Sequence, residues 1–264
     1  MLPLKEPKDR IIFPLDFPEI NSAMRYVEIL KDHIGLFKVG LELFVREGPA
    51  ILRVISNASR NGNKSHLPVQ GQTGGREKIF LDLKFHDIPE TVKRALRSAD
   101  VYRVNFITIH CDEGKDMMES IAETASERIK VLAITLLTSL SREGLKEMGM
   151  REDLQDPLRL VLHRAKIAKS AGCAGVVCSG LEAEYVKKEL GEDFIVVTPG
   201  IRPSWSIIHH DDQKRITTPF EAIKAGADYI VVGRPITASK DPADAARRIA
   251  EEIEKALDLK RKNV

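Results

Sequence analysis

The sequence predicts an α/β protein, a (β/α)8 TIM barrel in a single domain over residues 1–264. Three observations predict it. Short apolar, β-branched runs alternate with longer charged segments of helical period along the whole chain. Eight such strand-then-helix units suit a closed parallel barrel better than an open doubly wound sheet. A chain of 264 residues is also in the usual range for such barrels and can bury a full core without disulfides.

In chain order the strands are expected at Ile11–Leu15, Gly35–Val39, Lys78–Lys84, Val104–His110, Val131–Leu137, Gly175–Cys178, Phe194–Thr198 and Tyr229–Val232. Amphipathic segments lie between them, among them Ile20–Asp32, Leu41–Ser56, Asp116–Arg128, Pro157–Ala171 and Pro242–Leu257. These read as the helices that clad the barrel. Two stretches break the rhythm. Asn57–Glu77, with Gly62, Pro68, Gly71, Gly74 and Gly75, reads as a surface-loop insertion before the third strand. Pro199–Gln213 is a second Gly/Pro-rich segment, placed after the seventh strand.

Composition narrows the function classes. Lys and Arg number 41 against 39 acidic residues, and a net charge of +2 gives no support for a nucleic-acid partner. No apolar stretch approaches the roughly 20 residues a membrane span needs. Met1–Arg10 carries Lys5, Glu6, Lys8, Asp9 and Arg10 without an apolar core, so no signal peptide is expected and a cytoplasmic enzyme is. Cys111, Cys173 and Cys178 are odd in number and show no pairing pattern, which suits buried thiols in a reducing compartment. The basic stretch Lys260–Arg261–Lys262 is expected to be frayed and solvated.

Barrel strands alternate between interior and helix layer, and barrel chemistry sits at their C-terminal ends. In Phe80-Leu81-Asp82-Leu83-Lys84 this puts Asp82 and Lys84 on the inner face, with Leu81 and Leu83 outward. Opposite charges at the mouth of an apolar strand are costly unless they interact or do chemistry. Asp87 follows in the pattern Asp-x-Lys-x-x-Asp. Asp16 ends the first strand, and Lys38 lies between outward-facing Phe37 and Val39 in the second. The alternative is a structural ion-pair ring, a device more often kept at the opposite, stability-bearing end. Across the mouth, Thr198-Pro199-Gly200-Ile201-Arg202 and Val232-Gly233-Arg234-Pro235 fall in the two loops where barrels often bind phosphate. There Gly200 and Gly233 allow close backbone approach, and Arg202 and Arg234 supply forked donors.

The string Asp82-Leu-Lys84-Phe-His-Asp87-Ile88-Pro-Glu-Thr91-Val resembles the defining motif of the orotidine 5′-phosphate decarboxylase family. Leu15-Asp16, Phe37-Lys38-Val39-Gly40, Leu137-Thr138-Ser139, Thr198-Pro-Gly-Ile-Arg202 and Val232-Gly-Arg234-Pro resemble its other blocks, in order, from about Ile11 to Ile249. The resemblance implies decarboxylation of a phosphorylated pyrimidine nucleotide, with Lys84, Asp82 and Asp87 catalytic. It implies that Asp16 and Lys38 hold the ribose, that Thr138 and Ser139 lie near the pyrimidine, and that Arg202, Gln213 and Arg234 hold the phosphate. Ile88, Pro199 and Gly233 are carried over as substrate-binding residues. The family is homodimeric, so Asp87 and Thr91 are expected to complete the partner subunit's site. The chain differs from the family's pattern in the length of Asn57–Glu77 and in Trp205–His210, inside the phosphate loop.

No metal or cofactor is expected, because an ammonium can both stabilise charge at the reacting carbon and protonate it. His209-His210-Asp211-Asp212 looks metal-like, but adjacent loop residues seldom form one coordination sphere. His86 is expected to support the site from behind. His110 either orients groups at the barrel mouth or is buried and satisfied. The rival readings are a metal-dependent sugar-phosphate decarboxylase or aldolase, which would need a further carboxylate ligand, and a non-catalytic phosphosugar-binding barrel.

Overall fold

In the computed structural model, which describes residues 6–59, 78–206 and 215–262, eight strands pair in chain order and close into a parallel barrel. They are β1 (Ile11–Pro14), β2 (Leu36–Val39), β3 (Ile79–Phe85), β4 (Phe106–His110), β5 (Lys130–Ile134), β6 (Gly175–Val177), β7 (Ile195–Thr198) and β8 (Tyr229–Val231). Strands that are apolar on both faces offer no side to water, and closing the sheet removes its edges. Alternation then sorts the side chains. Ile12, Phe80, Phe106, Leu132, Val197 and Tyr229 form the inner cluster, while Phe37, Val39, Leu81 and Ile107 pack outward beneath the helices. Phe106 is met edge-on by Phe80 at 5.7 Å and by Tyr229 at 5.1 Å between ring centroids, the geometry that ring quadrupoles favour.

The first helices are α1 (Ile20–Leu30), α2 (Leu41–Glu47), α3 (Ala50–Ala58), α4 (Pro89–Asp100), α5 (Lys115–Thr124), α6 (Arg142–Glu147) and α7 (Pro157–Ser170). The second half adds α8 (Gly180–Leu190), α9 (Pro219–Lys224), α10 (Arg234–Thr237) and α11 (Pro242–Lys262). Their starts are written locally. Asp156 accepts from the Arg159 N–H ahead of Pro157, and Thr218 and Glu221 form a reciprocal capping box on α9.

Four expectations are corrected. The single helix expected over Leu41–Ser56 is two, because Gly48 turns left-handed at φ 68° and Pro49 has no N–H to continue the ladder. α3 then runs through Ala58, so the Asn57–Glu77 loop starts later than expected, and its residues 60–77 lie outside the described residues. The fifth strand ends at Ile134 rather than Leu137, since the next carbonyls are taken by side chains: Thr135 by Arg164 at 2.5 Å and Leu137 by Arg215 at 3.3 Å. Lys260–Lys262 is not frayed but forms the last turn of α11, where cations offset the helix dipole and Arg261 pairs with Asp258 at 3.0 Å.

The N-terminal end of the barrel is closed by a buried ion pair. Lys187 Nζ lies 2.8 Å from Asp228 Oδ2 and donates to the Glu192 and Phe194 carbonyls. Asp228 also accepts from the Val196 N–H, and Arg10 donates to its carbonyl. Burial pulls the Arg10 guanidinium below its usual range, partly offset by Asp228. The structural ion-pair lock is here, away from the loops. A second charged array lies at the opposite end.

Candidate functional site

At the C-terminal end, four side chains from β2, β3 and the loop just after β1 form a continuous line of alternating charge. Asp16 Oδ1 lies 3.2 Å from Lys38 Nζ. Lys38 Nζ lies 3.4 Å from Asp82 Oδ2, and the same oxygen lies 2.9 Å from Lys84 Nζ. Register brings them together: β2 sits between β1 and β3, with Pro14 beside Lys38 and Lys38 beside Phe80. The line runs from solvent inward and back, since the side chains of Asp16 and Lys84 are 56% and 31% exposed while those of Lys38 and Asp82 are 11%. Gly40 leaves it room. A Cβ there would lie 2.9 Å from Asp16 Oδ1 and 3.0 Å from Lys38 Nζ.

Electrostatics keeps the inner pair charged. Burial alone would raise the Asp82 carboxyl, but Lys38 and Lys84 outweigh it and hold Asp82 below the usual carboxylate range. Burial would likewise lower Lys38, yet Asp82 and Asp16 hold its ammonium above the usual lysine value. Paired charges of this kind tolerate burial only because each has its partner and further hydrogen bonds.

β3 is distorted where it matters. Leu81 pairs with Ile107 and Phe85 with Ile109, so the register slips between them. Lys84 takes up the slip at φ 52°, a left-handed conformation that costs a non-glycine residue on the order of 1–2 kcal/mol. Bulges of this kind re-aim a side chain. Thr108 of β4 holds the distortion in place. Its hydroxyl accepts from the Lys84 N–H at 2.9 Å and donates to Asp82 Oδ1 at 2.9 Å.

Asp87 does not join Asp82 around Lys84 within the chain. Its carboxylate accepts from the Ile88 N–H at 2.7 Å, and among the described residues no hydrogen bond or ion pair links it to Lys84. Asp87 is exposed, Ile88 is 67% exposed and Thr91 is half-buried on the first turn of α4. His86 lies beyond the strand's last residue, 2.8 Å from Glu113 Oε1 and edge-on to His110 at 5.6 Å. Glu113 also receives the Asp87 N–H, so His86 and Glu113 support the loop rather than the lysine.

On the other side of the mouth, Thr138 is half-buried and Ser139 exposed, both in the turn closed by Leu140 N–H to the Leu137 carbonyl. Pro199 leads into Gly200, whose φ of 76° is left-handed. Arg202 is held by its N–H to the Thr217 carbonyl at 2.8 Å, and the Thr217 N–H returns to the Gly200 carbonyl at 3.3 Å. Gly233 packs so closely on β1 that a Cβ would lie 2.9 Å from Pro14 Cγ, and Arg234 opens α10 directly after it. The Arg234 loop is thereby beside the strand that leads to Asp16. Gln213 and His209–Asp212 lie outside the described residues.

Sequence reading missed Thr108 and the buried pair Arg215–Glu182, joined at 2.6 Å. The signal for Thr108 was available, because it is a polar residue on the inner period of Phe106–His110. The three cysteines are buried, as expected, and burial pushes the Cys173 thiol up to about 12.

Comparison with known proteins finds similarity over nearly the whole chain. A family model described as "Orotidine 5'-phosphate decarboxylase / HUMPS family" matches residues 9–249. An orotidine 5'-phosphate decarboxylase of Desulfosudis oleivorans is 46% identical over 254 residues, 96% of each chain. One from Citrifermentans bemidjiense is 42% identical over 251 residues, 92% of this chain and 95% of that protein. The crystal structure of an orotidine 5'-phosphate decarboxylase from Lactobacillus acidophilus superposes with a TM-score of 0.74 at 32% identity, covering 92% of this chain and 98% of the other.

Proposed function

The chain belongs to the orotidine 5′-phosphate decarboxylase / HUMPS family and is a carboxy-lyase; from that premise we propose that it converts orotidine 5′-phosphate to UMP in pyrimidine biosynthesis, using its own side chains alone. The Asp16–Lys38–Asp82–Lys84 line at the barrel mouth supports this reading most directly. The C6–carboxylate bond breaks, carbon dioxide leaves, and the electron pair stays on C6, where no adjacent carbonyl can take it up. The Lys84 ammonium stabilises that charge and then passes its proton to C6. Asp82, fixed by Lys38 and Thr108, keeps the ammonium aimed at the carbon.

Asp16 and Lys38 take the ribose hydroxyls, Thr138 and Ser139 face the pyrimidine, and Ile88 adds an apolar contact. The phosphate is held by Arg202 and Arg234 with Pro199, Gly233 and Gln213. Phosphate contacts far from the reacting carbon supply binding energy that organises the charged line. Arg234→Ala is expected to raise KM about tenfold or more through lost phosphate contacts. An unchanged KM would move the phosphate site elsewhere. The same assay tests cofactor independence, since loss of substrate absorbance is expected to proceed undiminished after exhaustive EDTA treatment.

The active form is a homodimer in which Asp87 and Thr91 of one subunit complete the other's site. The exposed Asp87 loop, with Ile88 67% exposed and no link from Asp87 to Lys84 among the described residues, supports this. Mixing inactive Lys84→Ala with inactive Asp87→Ala is expected to restore activity, because a hybrid dimer holds one native site. No recovery in mixtures shown to exchange subunits would return Asp87 to its own chain. No described helix is long and apolar enough to cross a membrane, and a cytoplasmic location fits the reaction.

A further inference from the structure

The segment that follows β7 carries the chain's one tryptophan, and that side chain is tied to the last helix. Trp205 lies past β7, partly buried against the outer core. Its indole Nε1–H donates to Glu252 Oε1 at 2.8 Å. The Arg248 guanidinium sits over its ring, 4.0 Å from the centroid. Arg248 and Glu252 are one turn apart on α11, so one helix face offers a cation to the π cloud and an anion to the N–H. A merely solvated loop residue has no use for such a matched pair.

The same short stretch is also held at its start. Backbone bonds tie Arg202 to Thr217 and Thr217 to Gly200, and Ile201 between them is fully buried. Pro203 is buried too, and its carbonyl accepts from the Ser206 N–H at 3.0 Å, which turns Trp205 toward α11. Arg202 therefore stands between two anchors. Its backbone cannot swing without breaking the bridge to Thr217 or undocking the indole.

We propose that Trp205 is a positioning residue for phosphate recognition, holding the Arg202 segment in its binding conformation before the nucleotide arrives. This rests on the reading that Arg202 and Arg234 hold the phosphate. A segment ordered in advance does not have to be ordered at the expense of affinity. The consequence reaches the substrate only through its phosphate, so a nucleoside without one does not register it.

The test compares orotidine 5′-phosphate with orotidine, the same nucleoside without phosphate. Trp205→Ala is expected to raise KM for the phosphorylated substrate about tenfold, with kcat within about twofold and kcat/KM for orotidine unchanged. Trp205→Phe keeps a ring over Arg248 and should recover most of the loss. Should Trp205→Ala fail to fold, Glu252→Ala removes only the acceptor on α11 and is expected to raise KM about threefold. An unchanged KM in these variants, beside a raised KM in Arg234→Ala, overturns the role of Trp205 and leaves the phosphate reading standing. Equal losses on both substrates make Trp205 a stability residue and also overturn it. An unchanged KM in Arg234→Ala removes the phosphate reading and this inference together.

Discussion

Lys84→Ala is expected to abolish turnover while leaving nucleotide binding largely in place. The ammonium performs two tasks that alanine cannot, stabilising charge at C6 and protonating it, together worth on the order of 10⁵ in rate. Binding of UMP depends on the ribose and phosphate contacts and should change by no more than about tenfold. The loss should therefore sit in kcat. Single-turnover decarboxylation with enzyme in excess, alongside a UMP titration, checks both halves. Decarboxylation near the native rate would remove Lys84 from the reaction, and a large loss of UMP affinity would make it a binding residue. Alanine also relieves the left-handed strain at φ 52° only slightly, because it too carries a Cβ.

Asp82→Asn should do damage of a second kind. One carboxylate oxygen stands between two ammonium groups, 3.4 Å from Lys38 and 2.9 Å from Lys84. A neutral amide leaves those like charges facing each other in a half-buried mouth. Turnover should fall on the order of 10²–10³, because Lys84 is no longer aimed. Stability should fall by about 3 kcal/mol, at the low end for breaking a buried pair, since Thr108 can still bond the amide. Denaturant titrations across pH test the electrostatic part. Asp82 titrates lower when folded than when unfolded, so its contribution is whole above the ordinary value of 3.8 and is lost as pH falls through the folded value. The gap between the native protein and the Asp82→Asn variant should be full at neutral pH and close in acid. Lys38 is raised, so its contribution is whole below 10.5 and is lost above it as pH rises through the folded value. A gap that persists unchanged in acid would mean that packing, rather than charge, makes Asp82 stabilising.

Much of this site is legible in the order of the amino acids. Asp82 and Lys84 fall on one inner face because a strand's side chains repeat every two residues, whatever surrounds them. Asp16, Lys38, Arg202 and Arg234 belong to one mouth because parallel strands that close in order put all their C-terminal ends together. Asp87 is only half legible. Its neighbourhood in sequence suggests a place beside Lys84, and the loop instead turns it outward to the Ile88 N–H.

What the chain settles unaided is the alternation of apolar and charged positions, hence the barrel, its polarity and the faces on which charges fall. These depend on local periodicity and on burying apolar surface, which any stretch of sequence carries within itself. Only the tertiary structure decided the slip between β3 and β4, the left-handed Lys84, the hold of Thr108 on both Asp82 and Lys84, and the docking of Trp205 on α11. Each joins residues from separate elements, at a geometry set by how whole strands and helices pack, and no local pattern encodes that distance.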